Sequence, residues 1–329
     1  ERHVYTVDAG GSSPSGPTIF STLFPKESTV SRSIILVVVA ALLWSTTGTA
    51  AFLLGEDASP FAIGAAVFGF GGALLAVIGG RGSLNIWRKR SLRPWLVLGS
   101  LGVVAYPLFF YAGMSLAGIA LGNVVALVLG PLTSAVFEWT LDRRPPSPRW
   151  WFASAGAMGG VILMSFSDIE LGGGRSANVA LGLLFALGAG VAYGTYTFAL
   201  SRIIRAGNPS RSASGSLFGA AAPILLVVLF FSSSSLTFSW STLGLLSYLV
   251  VGPVVVAYLA FSAALRSLRS SSVGTLALVE PLGATILAIV IVGESLGALA
   301  IAGMALVLVS LVLLALHVDE RDSSRSAYS

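Results

Sequence analysis

The sequence predicts an all-α membrane protein with ten transmembrane helices arranged as two inverted five-helix repeats. Three observations predict it: ten long apolar runs, 18 of the 19 basic residues on alternate connections, and residue matches that recur about 150 positions apart. Of the 329 residues, 55% are hydrophobic and 10% charged, against about 25% charged in an average soluble domain. The mean hydropathy is +0.88. The 38 glycines agree, because membrane helices carry more glycine than soluble ones.

A bilayer core takes roughly 20 apolar residues as a helix. The first five predicted spans are Ile34–Leu54, Pro60–Gly80, Pro94–Gly113, Gly118–Leu141 and Arg149–Phe166. The second five are Asn178–Ser201, Ala213–Ser232, Ser241–Leu265, Ser270–Val292 and Gly297–Leu316. They divide the chain into an N-terminal tail (1–33), a first repeat (34–166), a loop (167–177), a second repeat (178–317) and a C-terminal tail (318–329). The spans are apolar nearly all round, so periodicity does not select an inner face.

Orientation follows from lysine and arginine. With the N-terminus inside, the cytoplasmic side receives Arg2, Lys26 and Arg32, then Arg81, Arg88, Lys89, Arg90 and Arg93. It also receives Arg143, Arg144 and Arg149, then Arg202, Arg205 and Arg211, then Arg266 and Arg269, and last Arg321 and Arg325. That is 18 of the 19 basic residues, and only Arg175 falls outside. One span more or fewer would invert every later loop, so the same bias supports the count. The opposite loops carry Glu56, Asp57, Asp168, Glu170 and Glu294. The N-terminal tail is rich in Gly, Ser, Thr and Pro and has no apolar stretch of signal-peptide type. It is expected to be disordered, with the first span as the uncleaved membrane signal. Arg81–Arg93, with Leu84, Ile86 and Trp87 among its charges, is expected to lie along the inner interface as an amphipathic helix.

The repeat is visible in residues. Val103-Val104-Ala105-Tyr106 recurs as Val255-Val256-Ala257-Tyr258, Ser115-Leu116 as Ser267-Leu268, and Pro131-Leu132 as Pro281-Leu282. Trp44 corresponds to Tyr193. Each half has an odd number of spans, so the halves enter the membrane in opposite directions, as in many secondary transporters.

These residues carry a resemblance. Ala40-Ala41-Leu42-Leu43-Trp44 opens the first half and Ala189-Gly190-Val191-Ala192-Tyr193 the second; the Pro131 and Pro281 segments and Gly293-Glu294 complete the pattern. Over 34–317 the chain resembles the drug/metabolite transporter superfamily in its ten-helix EamA-type form. It departs from that family at the end of span four, where Asp142-Arg143-Arg144 replaces the usual Glu-Arg pair. The chain is similar to bacterial inner-membrane exporters of aromatic and other neutral amino acids. The inverted halves point to alternating access, and the basic bias places both termini in the cytoplasm.

Enzyme chemistry finds little footing. Neither Lys26 nor Lys89 follows a glycine-rich phosphate loop. Ser212-Ala213-Ser214-Gly215 is similar to an intramembrane serine-protease motif, but the only histidines, His3 and His317, lie in or beside the tails, so no Ser–His pair can form in the membrane. No span contains aspartate or lysine, no His/acid cluster offers a metal site, and the chain has no cysteine. No cofactor is expected. The pI near 9.8 reflects topology rather than a nucleic-acid partner.

Two carboxylates remain within spans. Glu280, before Pro281 in mid-span, is either a proton-coupling or amine-binding group facing a cavity, or a structural acid bonded to backbone freed by the proline. Glu138 lies near the cytoplasmic end beside Trp139 and is expected to snorkel to the interface. Pro131 and Pro281, at paired positions, are candidate hinges or static kinks. Trp44, Tyr106, Asn123, Tyr193, Tyr196 and Tyr258 carry polar tips deeper than interfacial aromatic belts reach, and are candidates for cavity lining or core packing. Gly156/Gly160 and Gly190/Gly194 read as close helix contacts. The predicted function is secondary transport of a small organic metabolite of low net charge, such as a neutral or aromatic amino acid. A channel-like facilitator and a receptor or scaffold are the alternatives. The partners are the lipid bilayer and the substrate; proton coupling and oligomeric state stay open.

Overall fold

Apolar runs with few breaks and no polar face can satisfy their backbone in a bilayer only as helices. The computed structural model describes residues 29–54, 59–117, 119–170, 178–232, 239–287, 290 and 297–326. Residues 1–28, Glu56, Asp57, Arg175 and Gly293-Glu294 lie outside the described residues. Nine of the described helices are long and apolar enough to cross a membrane. A further helix of 23 residues, Pro148–Glu170, takes the fifth place in the order.

In chain order, α1 is Thr29–Ser45, continued after Thr46 by Thr47–Leu53. Then come α2 (Pro60–Arg88), α3 (Arg93–Ala117), α4 (Ile119–Thr140) and α5 (Pro148–Glu170). The second half begins with α6 (Val179–Arg205) and α7 (Ser210–Ser232). Next, α8 runs as Trp240–Leu249, a π-helical turn Val250–Val256 and Ala257–Ala264. Helix α9 runs as Ser270–Leu276, a 3-10 turn Ala277–Val279 and Glu280–Leu287. The last helix, α10 (Ala298–Ser326), continues past the expected end of its span.

The irregular turns fall where prolines remove a backbone donor. Pro253 sits inside the π-helical turn of α8, and the 3-10 turn of α9 stops just before Glu280-Pro281. Pro131 causes no such break, since α4 runs through it and lays it against Gly274 of α9. The paired prolines therefore sit in unlike surroundings. Gly80 turns α2 with φ 55°, a conformation that favours glycine. Beyond it, Arg81–Arg88 is helical, as expected. It is docked on protein, however: Ser83 Oγ donates to Ser212 O at 3.1 Å and Trp87 Nε1 to Ser216 O at 3.3 Å.

Contacts fix the helix directions. Gly72 lies against Phe218 and Ala222, Gly79 against Gly215, and Ser83 against Ser212, so α2 and α7 are antiparallel. Likewise Gly156 meets Ser310, while Gly160 meets Gly303 and Val307, which makes α5 and α10 antiparallel. Helix α3 runs against α6 from Gly99–Ala199 to Gly113–Ala186. Its counterpart, α1 against α8, runs from Ser33–Ser267 to Thr46–Tyr248. The glycines let backbones approach, which in lipid is the main source of helix association. Each of these contacts maps onto itself or onto another when the two halves are exchanged. An axis along the membrane normal would set α2 and α7 parallel. Their antiparallel course places the two-fold axis in the membrane plane, so the repeats are inverted. Large apolar side chains such as Val77, Leu184, Phe230 and Leu313 are exposed on the outer surface, where lipid covers them.

Candidate transport cavity

The centre of the bundle is lined with aromatic residues from both halves. Trp44 of α1 donates its indole N–H to Pro253 O at 2.8 Å, an acceptor in the π-helical turn of α8. Its ring lies 5.1 Å from Tyr258 and 5.2 Å from Phe261. Phe68 of α2 joins Tyr106 and Tyr258, at 6.0 and 5.9 Å. Tyr106 continues to Tyr193 at 5.6 Å and Tyr196 at 5.7 Å. The Tyr196 and Tyr258 hydroxyls share a hydrogen bond of 2.8 Å. The contacts follow the repeat: Trp44–Tyr258, at 5.1 Å, and its repeat-related counterpart Tyr193–Tyr106, at 5.6 Å, each join one half to the other.

This cluster borders a cavity that, with its open mouth, holds about 980 Å³ of atom-free space. Trp44, Tyr106, Asn123, Tyr193, Tyr196, Tyr258 and Glu280 all border it. Pro131 and Pro281 do not. Sequence reasoning did not single out Phe68, Phe110, Tyr111 or Met114, which also border it. Tyr111 carried a usable signal, a polar tip within a span; the others are indistinguishable from lipid-facing apolar residues by type. Among the described residues no Lys, Arg or His borders the cavity.

The cavity belongs to one end of the helix bundle. Thr47 and Gly48 at the far end of α1, Phe68 early in α2, Met114 late in α3 and Asn123 early in α4 line it. All lie toward the ends of the helices away from the basic connections.

The other end is packed shut. There Glu138 is 4% exposed. Its carboxylate accepts from Ser270 Oγ at 2.7 Å, Ser271 Oγ at 2.6 Å and Ser271 N at 3.2 Å. The expectation that Glu138 snorkels to the interface is therefore corrected. The three donors at the start of α9 satisfy the carboxylate in place, which removes the reason to reach for water. Around it, Arg205 Nη2 donates to Leu268 O at 2.9 Å, and Ser33 Oγ to Ser267 Oγ at 3.2 Å. The divergent corner after α4 has a role here. Asp142 pairs with Arg202 at 2.9 Å, and the Arg202 guanidinium stacks 4.5 Å over Trp95.

Three polar groups bordering the cavity are unused. Among the described residues, Asn123 Oδ1 and the Tyr193 hydroxyl have no hydrogen-bond partner. The Glu280 carboxylate, partly exposed to the cavity, receives no hydrogen bond or ion pair from the described residues. Buried polar groups are normally satisfied, so three unsatisfied ones around one void mark where a ligand's polar groups would bind.

The two halves of the chain, residues 31–166 and 180–316, each match the EamA-like transporter family. The chain belongs to the EamA-like transporter family. It is similar to the uncharacterized transporter YwfM of Bacillus subtilis (strain 168), at 29% identity over 303 residues, covering 89% of this chain and 97% of that one. A protein of known crystal structure shares the fold with a TM-score of 0.71 and 22% identity, over 88% of this chain and 98% of its own. The chain is thus a multi-pass membrane protein of a family that moves small molecules, and no group of three or more potential metal ligands occurs among the described residues.

Proposed function

We propose that this EamA-family member is a secondary transporter that exports small organic metabolites by alternating access. Its setting is a bacterial inner membrane, with both termini cytoplasmic. The observation that carries the reading is the pairing of a cavity open toward one end of an inverted-repeat bundle with a hydrogen-bonded closure at the other. Inverted halves can exchange conformations, and the exchange would move the opening to the opposite face. The basic connections lie at the closed end, so the state described here is outward-facing.

The lining supports a flat or apolar body of low net charge. Stacking surface dominates, and among the described residues no cation borders the cavity to hold a phosphate or a dicarboxylate. Neutral and aromatic amino acids, and amines built on the same skeletons, are the candidates. The test is uptake of a labelled panel of these compounds into proteoliposomes, with and without a pH gradient. Saturable flux of an aromatic member is expected, and a gradient that drives accumulation would place a proton in the cycle. Liposomes that move none of the panel would overturn the reading.

A further inference from the structure

The unsatisfied groups of the cavity are unequal in kind. Glu280 contributes a carboxylate, which when ionised only accepts hydrogen bonds, and Asn123 contributes a free carbonyl oxygen. Tyr193 adds a hydroxyl with no partner. Tyr106, Tyr111, Tyr193 and Tyr258 border the same cavity as Glu280. Aromatic faces and neutral hydroxyls surround the carboxylate, no described cation borders it, and the Trp44 indole N–H is committed to Pro253 O. Among the described residues, no basic side chain borders the cavity.

An alkylammonium group has three N–H donors and no acceptor. It matches a carboxylate, a carbonyl oxygen and a hydroxyl, and its charge is further favoured by surrounding aromatic faces. A zwitterionic amino acid would bring the same ammonium group and, one carbon away, a second carboxylate. That carboxylate would enter the low-dielectric site beside Glu280 with no cation to receive it, which is costly.

We propose that the cavity selects monoamines in their ammonium form over the matching amino acids, with Glu280 as the counter-ion and Asn123 and Tyr193 as further acceptors. The proposal rests on the transport reading only for its biological setting, because selectivity is a property of the cavity at equilibrium.

The test is titration calorimetry of the purified full chain in detergent with three probes of one skeleton: phenethylamine, phenylalanine and 2-phenylethanol. Phenethylamine is expected to bind at least about tenfold more tightly than either of the others. Glu280→Gln should remove that advantage while leaving 2-phenylethanol unchanged. The comparison among probes needs no variant, so it stands even if Glu280→Gln folds poorly. Phenylalanine binding as tightly as phenethylamine, no binding of phenethylamine, or full amine affinity in a folded Glu280→Gln would each overturn the proposal. Selective amine binding without flux in proteoliposomes would instead overturn the transport reading and leave the site standing. Flux of phenylalanine with no amine binding would do the reverse.

Discussion

Gly130 has no side chain, and the ring of Tyr193 occupies the space where one would be. A Cβ at this position would overlap the ring, so the tyrosine must turn or α4 must move away from α6. Overpacking of this kind costs about 1–3 kcal/mol. Gly130→Ala is therefore expected to weaken binding of an aromatic probe about tenfold, read by calorimetry on protein that elutes as the parent does. Unchanged affinity would mean that Tyr193 is not a wall of the binding site. Tyr106→Ala removes a ring that touches Phe68, Phe110, Tyr193 and Tyr196. It should lower aromatic affinity about tenfold, as expected when a stacked ring is lost. The tyrosines were legible in the sequence because a hydroxyl in mid-span needs a reason. Gly130 was not, because glycine is common in membrane helices and only the contact distinguishes one from another.

One side chain of α4 accepts hydrogen bonds from the start of α9. Glu138 accepts three hydrogen bonds from Ser270 and Ser271, and a carboxylate at a helix N-terminus also meets the positive end of the backbone dipole. Glu138→Ala leaves those donors without their acceptor, so the closed end should open more often. The parent chain has no cysteine, which makes the test clean. Ser134 is fully buried between α4 and α6 and donates to Gly194 O at 3.1 Å. A cysteine there should resist an impermeant maleimide supplied from the basic-loop side, and should react several-fold faster when Glu138→Ala is added. Equal rates would show that the closure does not depend on Glu138. The helices themselves were legible from apolar length, and their order from the charge bias. This clasp was not, because a glutamate near a span end beside arginines reads as an interfacial residue. Only the partner helix, 132 residues away in sequence, supplies the donors. The broken courses of α8 and α9 were half legible, since prolines announce a lost hydrogen bond but do not say whether the helix absorbs it, as α4 does at Pro131.

At the scale of the whole molecule, the repeat was legible because odd-numbered halves must be inverted, and the antiparallel course of α2 and α7 agrees. Topology follows from the same parity. A cysteine at Ser323 should be unreactive to an impermeant reagent added outside intact cells, and labelling there would break the ten-span orientation. What parity cannot supply is motion, and the contacts at the closed end allow that to be tested. Ser33 Oγ of α1 and Ser267 Oγ beyond α8 are 3.2 Å apart, close enough for cysteines at both positions to approach disulfide geometry with small backbone adjustment. Oxidation of Ser33→Cys/Ser267→Cys would tie α1 to the end of α8 on the basic-loop side and leave the cavity mouth untouched. In an alternating mechanism the locked protein should still bind substrate from the open face, yet carry almost none across until a reductant restores flux. Each single-cysteine variant should transport as the parent does, which controls for the substitutions. A channel-like facilitator needs no opening of one end at the cost of the other, so its flux would be the same oxidised or reduced. Binding retained and flux lost on oxidation, with flux recovered on reduction, is the outcome required if the two inverted halves exchange roles around the aromatic cavity.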